Sequence, residues 1–254
     1  MKQFLTILTA ITICCFWGCA EDSAAIANES SGGSGQGGSL ARFTIVGDYL
    51  YTLEPDQLRW YRIHSGGNLE PAGQEELEGN KETIFPLGDL LFLGASEGMS
   101  IYQIDATGTP VFQSEVFHIM ACDPVVANED YAFVTLRTES CVGFGRLETA
   151  NLLNIYNVND VEDPNIVASY DMISPRGLGL AGDYLFVCEG PSGLRTLRVD
   201  DPQAVEFIAF DQSIHANDVI VLPEALLVIG PDNITQFDYS DPMNLVQISE
   251  ISLN

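Results

Sequence analysis

The sequence has little positive charge. Its 254 residues include 10 lysines and arginines against 36 aspartates and glutamates, which gives a formal net charge of −26 at pH 7. Nucleic-acid binding depends on lysine and arginine side chains that neutralise phosphates, so a chain with this balance is repelled by a phosphate backbone. We therefore expect no nucleic-acid partner. The acidity itself indicates solubility and does not identify a ligand.

The usual motifs of catalysis are also missing. The sequence contains no nucleophile elbow, HExxH helix, Walker loop or dinucleotide-binding fingerprint. Histidine occurs three times, and no CxxC or paired-histidine spacing typical of zinc accompanies the cysteines. The glycine-rich segment 177–182 lies on a predicted strand and is therefore structural. We assign no catalytic residue, metal site or cofactor. Because neighbouring carboxylates also bind Ca²⁺, a Ca²⁺ site is kept as an alternative.

Long hydrophobic runs are absent except at the amino terminus, where one extends from Phe4 to Trp17. This run is shorter than the ~20 residues that a transmembrane helix needs. It follows a short positive start with Lys2, and this combination is typical of a secretory signal. Residues 1–19 are therefore predicted to be a signal peptide that ends at Cys19.

The end of this signal resembles a bacterial lipobox, in which the thiol of the cysteine, here Cys19, is acylated and becomes the new amino terminus. Phe16 and Trp17 stand where such signals usually carry leucine and a small residue, so an ordinary signal peptide with a different cleavage site is the alternative. Residues 20–40 are rich in glycine and serine and are predicted to be a flexible tether. Ala20 resembles the sorting pattern of outer-membrane lipoproteins. We expect a lipid-anchored outer-membrane protein that faces the periplasm or the cell surface.

A short apolar strand that follows an acidic turn recurs five times. The five strands start at Tyr49, Leu90, Tyr131, Tyr184 and Ala225, at intervals of 41, 41, 53 and 41 residues. The longer interval contains one insertion, confined to residues 136–151. Repeats of about 40–50 residues that contain four short strands are typical of β-propeller blades.

Each unit contains four strand-like runs bounded by glycine, proline and aspartate, with no helical period between them. We predict an all-β fold, a five-bladed β-propeller of four-stranded antiparallel blades. The units are predicted at about 41–81, 82–122, 123–175, 176–216 and 217–254. An open array would leave two exposed sheet edges. We therefore favour a closed ring over an arc that awaits a partner, and we expect a monomer.

Several segments resemble the LVIVD repeat of bacterial surface proteins. They are residues 184–190 with 193–202, residues 154–159 with 163–164, and residues 238–242. The resemblance covers essentially all of 41–254 and departs from the pattern at 65–68, where Ser-Gly-Gly-Asn replaces the Asp-Pro turn. It implies a propeller fold and adds almost nothing about biochemical role.

Three cysteines follow the signal segment: Cys122, Cys141 and Cys188. Thiols outside the cytoplasm tend to pair. Cys122 opens the third unit and Cys141 lies in its insertion, so we predict a disulfide between them. Closing this ~20-residue loop would contribute about 3 kcal/mol of stability on the chain-entropy model. Cys188 lies in a strand register where the first unit has Leu53, and we expect a free, buried thiol there.

A polar column at the start of the units is the candidate binding site. Eight residues before the strand starts stand Ala41, Glu82, Asp123, Arg176 and Asn217, and Asp218 comes next in the last unit. The first strand of a blade usually lines the channel of a propeller. We therefore expect Glu82, Asp123, Arg176 and Asp218 to converge at one channel mouth, with His215 close by. Ordinary polarity of loops is the competing explanation of this column.

Two function classes stay open. We favour a binding or interaction module held at the cell surface, with a protein or carbohydrate partner. The alternative is a glycosidase-like or other hydrolase, for which Glu82 and Asp123 are candidate carboxylates; such enzymes place the two groups about 5–9.5 Å apart. A pocket lined with aromatic residues around two facing carboxylates would favour the enzyme, and a shallow or plugged channel would favour the module.

Overall fold

A computed structural model of the protein describes residues 37–118, 124–138 and 151–253. These residues form twenty β-strands in five four-stranded antiparallel sheets, arranged as a five-bladed β-propeller. Within the described ranges no helix is long and apolar enough to cross a membrane. The predicted fold class is therefore confirmed. The signal peptide, Cys19 and the pair Cys122 and Cys141 lie outside the described residues, so lipidation and the disulfide stay predictions.

In every blade the strands are ordered as in the chain, and the first strands of neighbouring blades contact one another, so the chain runs from the centre of the ring outward. Blade 1 contains β1 (Phe43–Val46), β2 (Tyr49–Glu54), β3 (Gln57–Ile63) and β4 (Leu69–Glu76). Blade 2 contains β5 (Lys81–Leu87), β6 (Leu90–Ala95), β7 (Gly98–Ile104) and β8 (Pro110–Phe117). Blade 3 contains β9 (Val125–Ala127), β10 (Tyr131–Arg137), β11 (Asn151–Asn157) and β12 (Asn165–Asp171).

The last two blades have the same arrangement. Blade 4 contains β13 (Leu178–Ala181), β14 (Tyr184–Cys188), β15 (Leu194–Arg198) and β16 (Glu206–Asp211). Blade 5 contains β17 (Asp218–Leu222), β18 (Ala225–Ile229), β19 (Asn233–Asp238) and β20 (Val246–Ser252). Each sheet is built from four consecutive strands, so blades 1 and 5 do not exchange a strand across the described residues.

The repeat predicted from the sequence coincides with the second strand of each blade. All five predicted starts, from Tyr49 to Ala225, are the first residues of these strands. In blades 1, 2 and 4 the turn before this strand is tight because Gly47, Gly88 and Gly182 adopt φ values of 57°, 58° and 57°. A two-residue hairpin loop needs this left-handed conformation, which glycine adopts without steric cost. The insertion predicted at 136–151 overlaps strand pairing at both ends, since Arg137 pairs with Asn151.

Each blade has two faces, and we name them by chain order. The leading face turns toward the preceding blade, and the trailing face turns toward the next one. At four junctions a trailing face packs against a leading face in a buried apolar cluster. The leading positions of blades 2 to 5 are at most 5% exposed: Ile84, Leu91, Leu93 and Tyr102; Val125, Ala132, Val134 and Tyr156; Leu178, Leu185, Val187 and Leu197; Val219, Leu226, Val228 and Phe237.

The junction between blade 5 and blade 1 is different. Phe43, which corresponds to Ile84 in the next blade, is 62% exposed, and Leu50, Thr52 and Tyr61 are only half-buried. The corresponding trailing positions of blade 5 are also half-buried: Leu227, Ile229, Ile234 and Gln236. No buried apolar cluster joins these two blades within the described residues. This junction of the predicted ring therefore lacks the buried apolar packing found at the other four.

A polar contact links blade 5 to the segment that enters blade 1. Ser39 Oγ donates a hydrogen bond to Asp218 Oδ1 at 3.1 Å and accepts one from the backbone N–H of Leu178 at 2.7 Å. Ser39 is 1% exposed, although it lies in the segment predicted to be a flexible tether. The end of that segment, residues 38–40, is therefore part of the folded domain.

Candidate functional site

Arg176 and Asp218 lie together at the start of blades 4 and 5. Arg176 Nη1 donates to Asn217 Oδ1 at 2.8 Å, and the backbone N–H of Gly177 donates to the carbonyl of Asn217 at 3.0 Å. A side chain at Gly177 would collide with the carboxylate, because a Cβ there would lie 2.0 Å from Asp218 Oδ1. The structure thus brings together two of the predicted site residues, with Asn217 between them.

The Asp218 carboxylate is held by the amino-terminal segment. Oδ1 accepts hydrogen bonds from Ser39 Oγ at 3.1 Å and from its neighbour Val219 N at 2.9 Å, and Oδ2 accepts a longer one from Leu40 N at 3.4 Å. Burial raises the pKa of Asp218 to about 6, and these hydrogen bonds, which favour the charged form, oppose the shift. Asp218 is therefore a buried, partnered carboxyl rather than an open one.

Glu82 lies at the start of blade 2, in a separate set of contacts. Its carboxylate accepts a hydrogen bond from Asn80 Nδ2 at 2.8 Å. Burial raises the pKa of Glu82, and the nearby charge of Arg42 and the Asn80 hydrogen bond lower it. Within the described residues no hydrogen bond or ion pair joins Glu82 to Arg176 or Asp218.

The other two predicted residues add less. His215 is half-buried in the connection that precedes β17, two residues from Asn217. Asp123, the carboxylate predicted to lie near Glu82, is outside the described residues. The described part of the predicted site therefore consists of Glu82 in one set of contacts and of Arg176 and Asp218 in another, with His215 near them in the chain.

A buried ion pair between Glu189 and Arg195 lies next to the segment that leads into blade 4, and the sequence analysis did not predict it. Glu189 is fully buried at the end of β14 and forms an ion pair with Arg195 Nε at 2.8 Å. Its other oxygen accepts from the backbone N–H groups of Ile173 and Ser174, at 3.0 and 2.7 Å. The connection into blade 4 is thereby tied to the sheet that follows it. Glu189 thus holds the backbone of Ile173 and Ser174, which shortly precede Arg176 in the chain.

Cys188, next to Glu189, is a free and fully buried thiol, as its strand register predicts. Burial raises the pKa of this thiol well above its ordinary value, and the nearby acids Asp218 and Glu189 add to the effect. Because the thiolate is the reactive form of cysteine, burial disfavours reaction at Cys188. Its role is to fill the core between blades 4 and 5.

A second concavity lies between blades 1 and 2, outside the predicted site. This cleft has a volume of about 260 Å³ and is lined by Lys81, Ser100, Tyr102 and several glutamates. The ammonium group of Lys81 is buried and contacts Ser100 Oγ at 2.6 Å and Glu115 Oε1 at 2.5 Å. One feature of the sequence distinguishes this residue: Lys81 is the only lysine that follows the predicted signal peptide.

In this cleft the charges of Lys81 and Glu115 balance each other. Ser100 Oγ donates to Glu115 at 2.9 Å, so the hydroxyl is engaged, and Lys81 balances the same carboxylate. Burial raises the pKa of Tyr102, and the Glu75 carboxylate beside it raises it further. Across the described residues, no group of three or more histidine, cysteine or acidic side chains is placed to hold a metal ion.

Comparison with known proteins identifies the fold and no closer relationship. No known family and no curated protein matches the sequence, so the LVIVD resemblance is not confirmed. A periplasmic gluconolactonase of Pseudomonas aeruginosa, PpgL, is similar at a TM-score of 0.63 and 13% identity, over 82% of this chain and 68% of that one. A Lactobacillus plantarum protein has a TM-score of 0.60 at 17% identity, over 81% and 68%. Sqt1 from Chaetomium thermophilum reaches 0.54 at 15%, over 82% and 57%. At these identities the likeness defines the class as β-propeller and carries no function.

Proposed function

We propose that this chain is an anchored β-propeller that acts as a binding module, with its ligand contacts at the channel mouth. The supporting observation is that the polar residues at the blade entries do not repeat. Glu82 lies beside Arg42 at the entry of blade 2, whereas Arg176 of blade 4 lies beside Asn217 and Asp218 of blade 5. Asymmetric polar groups around one concavity are the usual form of a ligand site.

The anchor belongs to the same proposal. Acylation of Cys19 would attach the domain to the outer membrane, and residues 20–37 would space it from the lipid surface. The ligand would then reach the channel mouth from the periplasm or from outside the cell. A protein segment or a carbohydrate fits this setting, and the net charge of −26 favours a neutral or cationic one.

Thermal-shift measurements on the full-length protein test the site. The probes are neutral and acidic oligosaccharides, basic peptides and Ca²⁺. A probe that raises the melting temperature of the wild type should have a smaller effect on Arg176→Ala and Glu82→Gln. Arg198→Ala is the matched control, because Arg198 is an exposed arginine whose partners are Asp200 and Glu206 on the blade exterior. Equal increases in melting temperature in all three variants would show that the ligand binds away from the channel mouth.

The alternative function is a hydrolase that uses Asp218 as acid or base. The observation in its favour is the pKa of Asp218, raised by burial to about 6, because catalytic carboxyls often titrate near neutral pH. Against it, the carboxylate is covered by Ser39 and Leu40. Catalysis would require residues 38–40 to move away, and the second carboxylate would have to come from outside the described residues or from Glu82.

An activity assay separates the two functions. The substrates are chromogenic glycosides and glucono-δ-lactone, incubated with wild-type protein and with Asp218→Asn. Turnover by the wild type that disappears in Asp218→Asn would establish the hydrolase. Binding of a probe without turnover in either protein would support the module.

A further inference from the structure

Two apolar sheet faces have no buried apolar cluster against them within the described residues, and they are opposite halves of one repeated interface. Asp218, which stands beside Ile229 on the second face, is covered by Ser39 of the same chain. The first is the leading face of blade 1, with Phe43, Leu50 and Tyr61. The second is the trailing face of blade 5, where Ile229, Ile234 and Ile251 form one row across three strands. Residues paired across antiparallel strands present their side chains on the same face, so this row is a continuous apolar strip.

The exposure of these faces differs from that of the corresponding positions in the other blades, since the counterparts of Phe43 in blades 2 to 5 are at most 1% exposed: Ile84, Val125, Leu178 and Val219. Phe43 is 62% exposed and Ile251 is 63% exposed. The end units of a repeat array normally carry a polar outer face, because an apolar one favours association. A contiguous exposed apolar patch on a soluble domain marks an interaction surface.

The other four junctions show what fits these faces. There, every leading face is buried against a trailing face, with Leu91 of blade 2 packed against Tyr51 and Leu58 of blade 1 as one example. The complement of the leading face of blade 1 is therefore a trailing face of the same chain. Its own blade 5 does not serve, because Phe43 and Ile229 are both left exposed or half-buried within one molecule.

Charge does not oppose the same pairing. Residues 217–254 contain six aspartates and glutamates and neither lysine nor arginine. The leading face of blade 1 includes Arg59, which stands in one row with Thr52 and Phe43. Arg59 pairs with Glu54 at 3.2 Å, so these two charges cancel and add no net negative charge to the face that would meet blade 5.

We propose that two copies of this chain bind head to tail, with the leading face of blade 1 of one copy against the trailing face of blade 5 of the other. The contact is heterologous, so two copies that use it twice close into a symmetric pair, and a rotation that does not close would extend the array. This assembly differs from the monomer expected from the sequence. It is independent of the ligand site at the channel mouth.

Sedimentation velocity of the full-length protein, with every sample in the same detergent, tests the assembly. The wild type should sediment as a dimer or larger species whose share rises with protein concentration. Phe43→Glu and Ile251→Glu should each weaken association at least tenfold while circular dichroism stays unchanged. Phe117→Glu is the matched control, because Phe117 is 75% exposed on β8 of blade 2, away from both faces; it should associate like the wild type.

A mixing experiment distinguishes the head-to-tail contact from any other. Phe43→Glu chains keep an intact trailing face, and Ile251→Glu chains keep an intact leading face. Each variant alone should be monomeric, whereas an equimolar mixture should form a dimer through the one intact junction. The proposal is wrong if the wild type is monomeric at all concentrations, because a ring closed on itself would behave in this way. It is also wrong if the two variants associate like the wild type or if their mixture stays monomeric.

Discussion

At the scale of single residues, Asp218 couples the fold to pH. Burial raises its pKa from 3.8 to about 6, so the folded protein binds this proton more tightly than the unfolded chain does. The stabilisation is therefore full below about pH 4 and is lost as the pH rises through about 6. A shift of this size corresponds to about 3 kcal/mol in the free energy of unfolding.

The variant Asp218→Asn isolates this effect from the other carboxylates. It removes the titration and keeps an oxygen that accepts hydrogen bonds from Ser39 and Val219. Urea unfolding from pH 4 to 7 should show that the variant gains stability relative to the wild type as the pH rises. A difference between the two proteins that does not change with pH would mean that Asp218 is solvated in the folded state.

Lys81 is a second residue whose replacement should lower the free energy of unfolding by a predictable amount. The Lys81→Met variant leaves the Glu115 carboxylate and the buried Ser100 hydroxyl without their cation. Breaking a buried ion pair costs about 3–5 kcal/mol, and the lower end applies because Glu115 keeps some solvent contact. The double variant Lys81→Met/Glu115→Gln should recover most of this loss. Urea unfolding checks both, and Arg198→Met, which breaks an exposed pair, should change stability by less than about 1 kcal/mol.

At the scale of blades, two leucines at the same register report on the junctions. Leu91 is fully buried between blades 1 and 2, whereas Leu50, its counterpart in blade 1, is half-buried. Leu91→Ala should cost about 2–5 kcal/mol, as core leucine truncations do. Leu50→Ala should cost clearly less when unfolding is measured at the lowest usable protein concentration. Equal losses at that concentration would show that blade 5 packs against blade 1 within one molecule.

The sequence predicted the repeat in detail because each blade obeys the same local rules. The strand starts from Tyr49 to Ala225 follow from the acidic turn and the apolar run after it. It could not predict the junction between blades 5 and 1, since Phe43 is as apolar as Ile84 and only packing distinguishes them. Ser39 was equally hidden, because its partner Asp218 is 179 residues away in the chain.

Only part of the candidate site could be predicted from the sequence, because the rest depends on contacts between residues far apart in the chain. The register placed Glu82, Arg176 and Asp218 at blade entries, where the structure has them. It did not distinguish an open carboxylate from one covered by the amino-terminal segment. The Glu189–Arg195 pair and the Lys81 cleft depend on contacts that no local pattern records.

At the scale of the whole molecule, the anchor sets where the propeller works. We expect metabolic labelling with a fatty-acid probe to mark the wild type and not Cys19→Ser, because the thiol is the site of acylation. The variant should otherwise be exported and folded. Cys188→Ser is the control and should keep the label, since its thiol is buried in the core. Label in Cys19→Ser would remove the lipoprotein assignment.

Hydrogen exchange with and without a bound probe tests the binding account most directly. The probe is the sugar, basic peptide or cation that stabilises the wild type most in the thermal-shift measurements. The account predicts protection of the backbone at the channel mouth, in residues 38–42, 80–84, 174–178 and 215–219. Protection confined to the opposite end of the blades, in the turns at 64–68, 105–109 and 199–205, would contradict it.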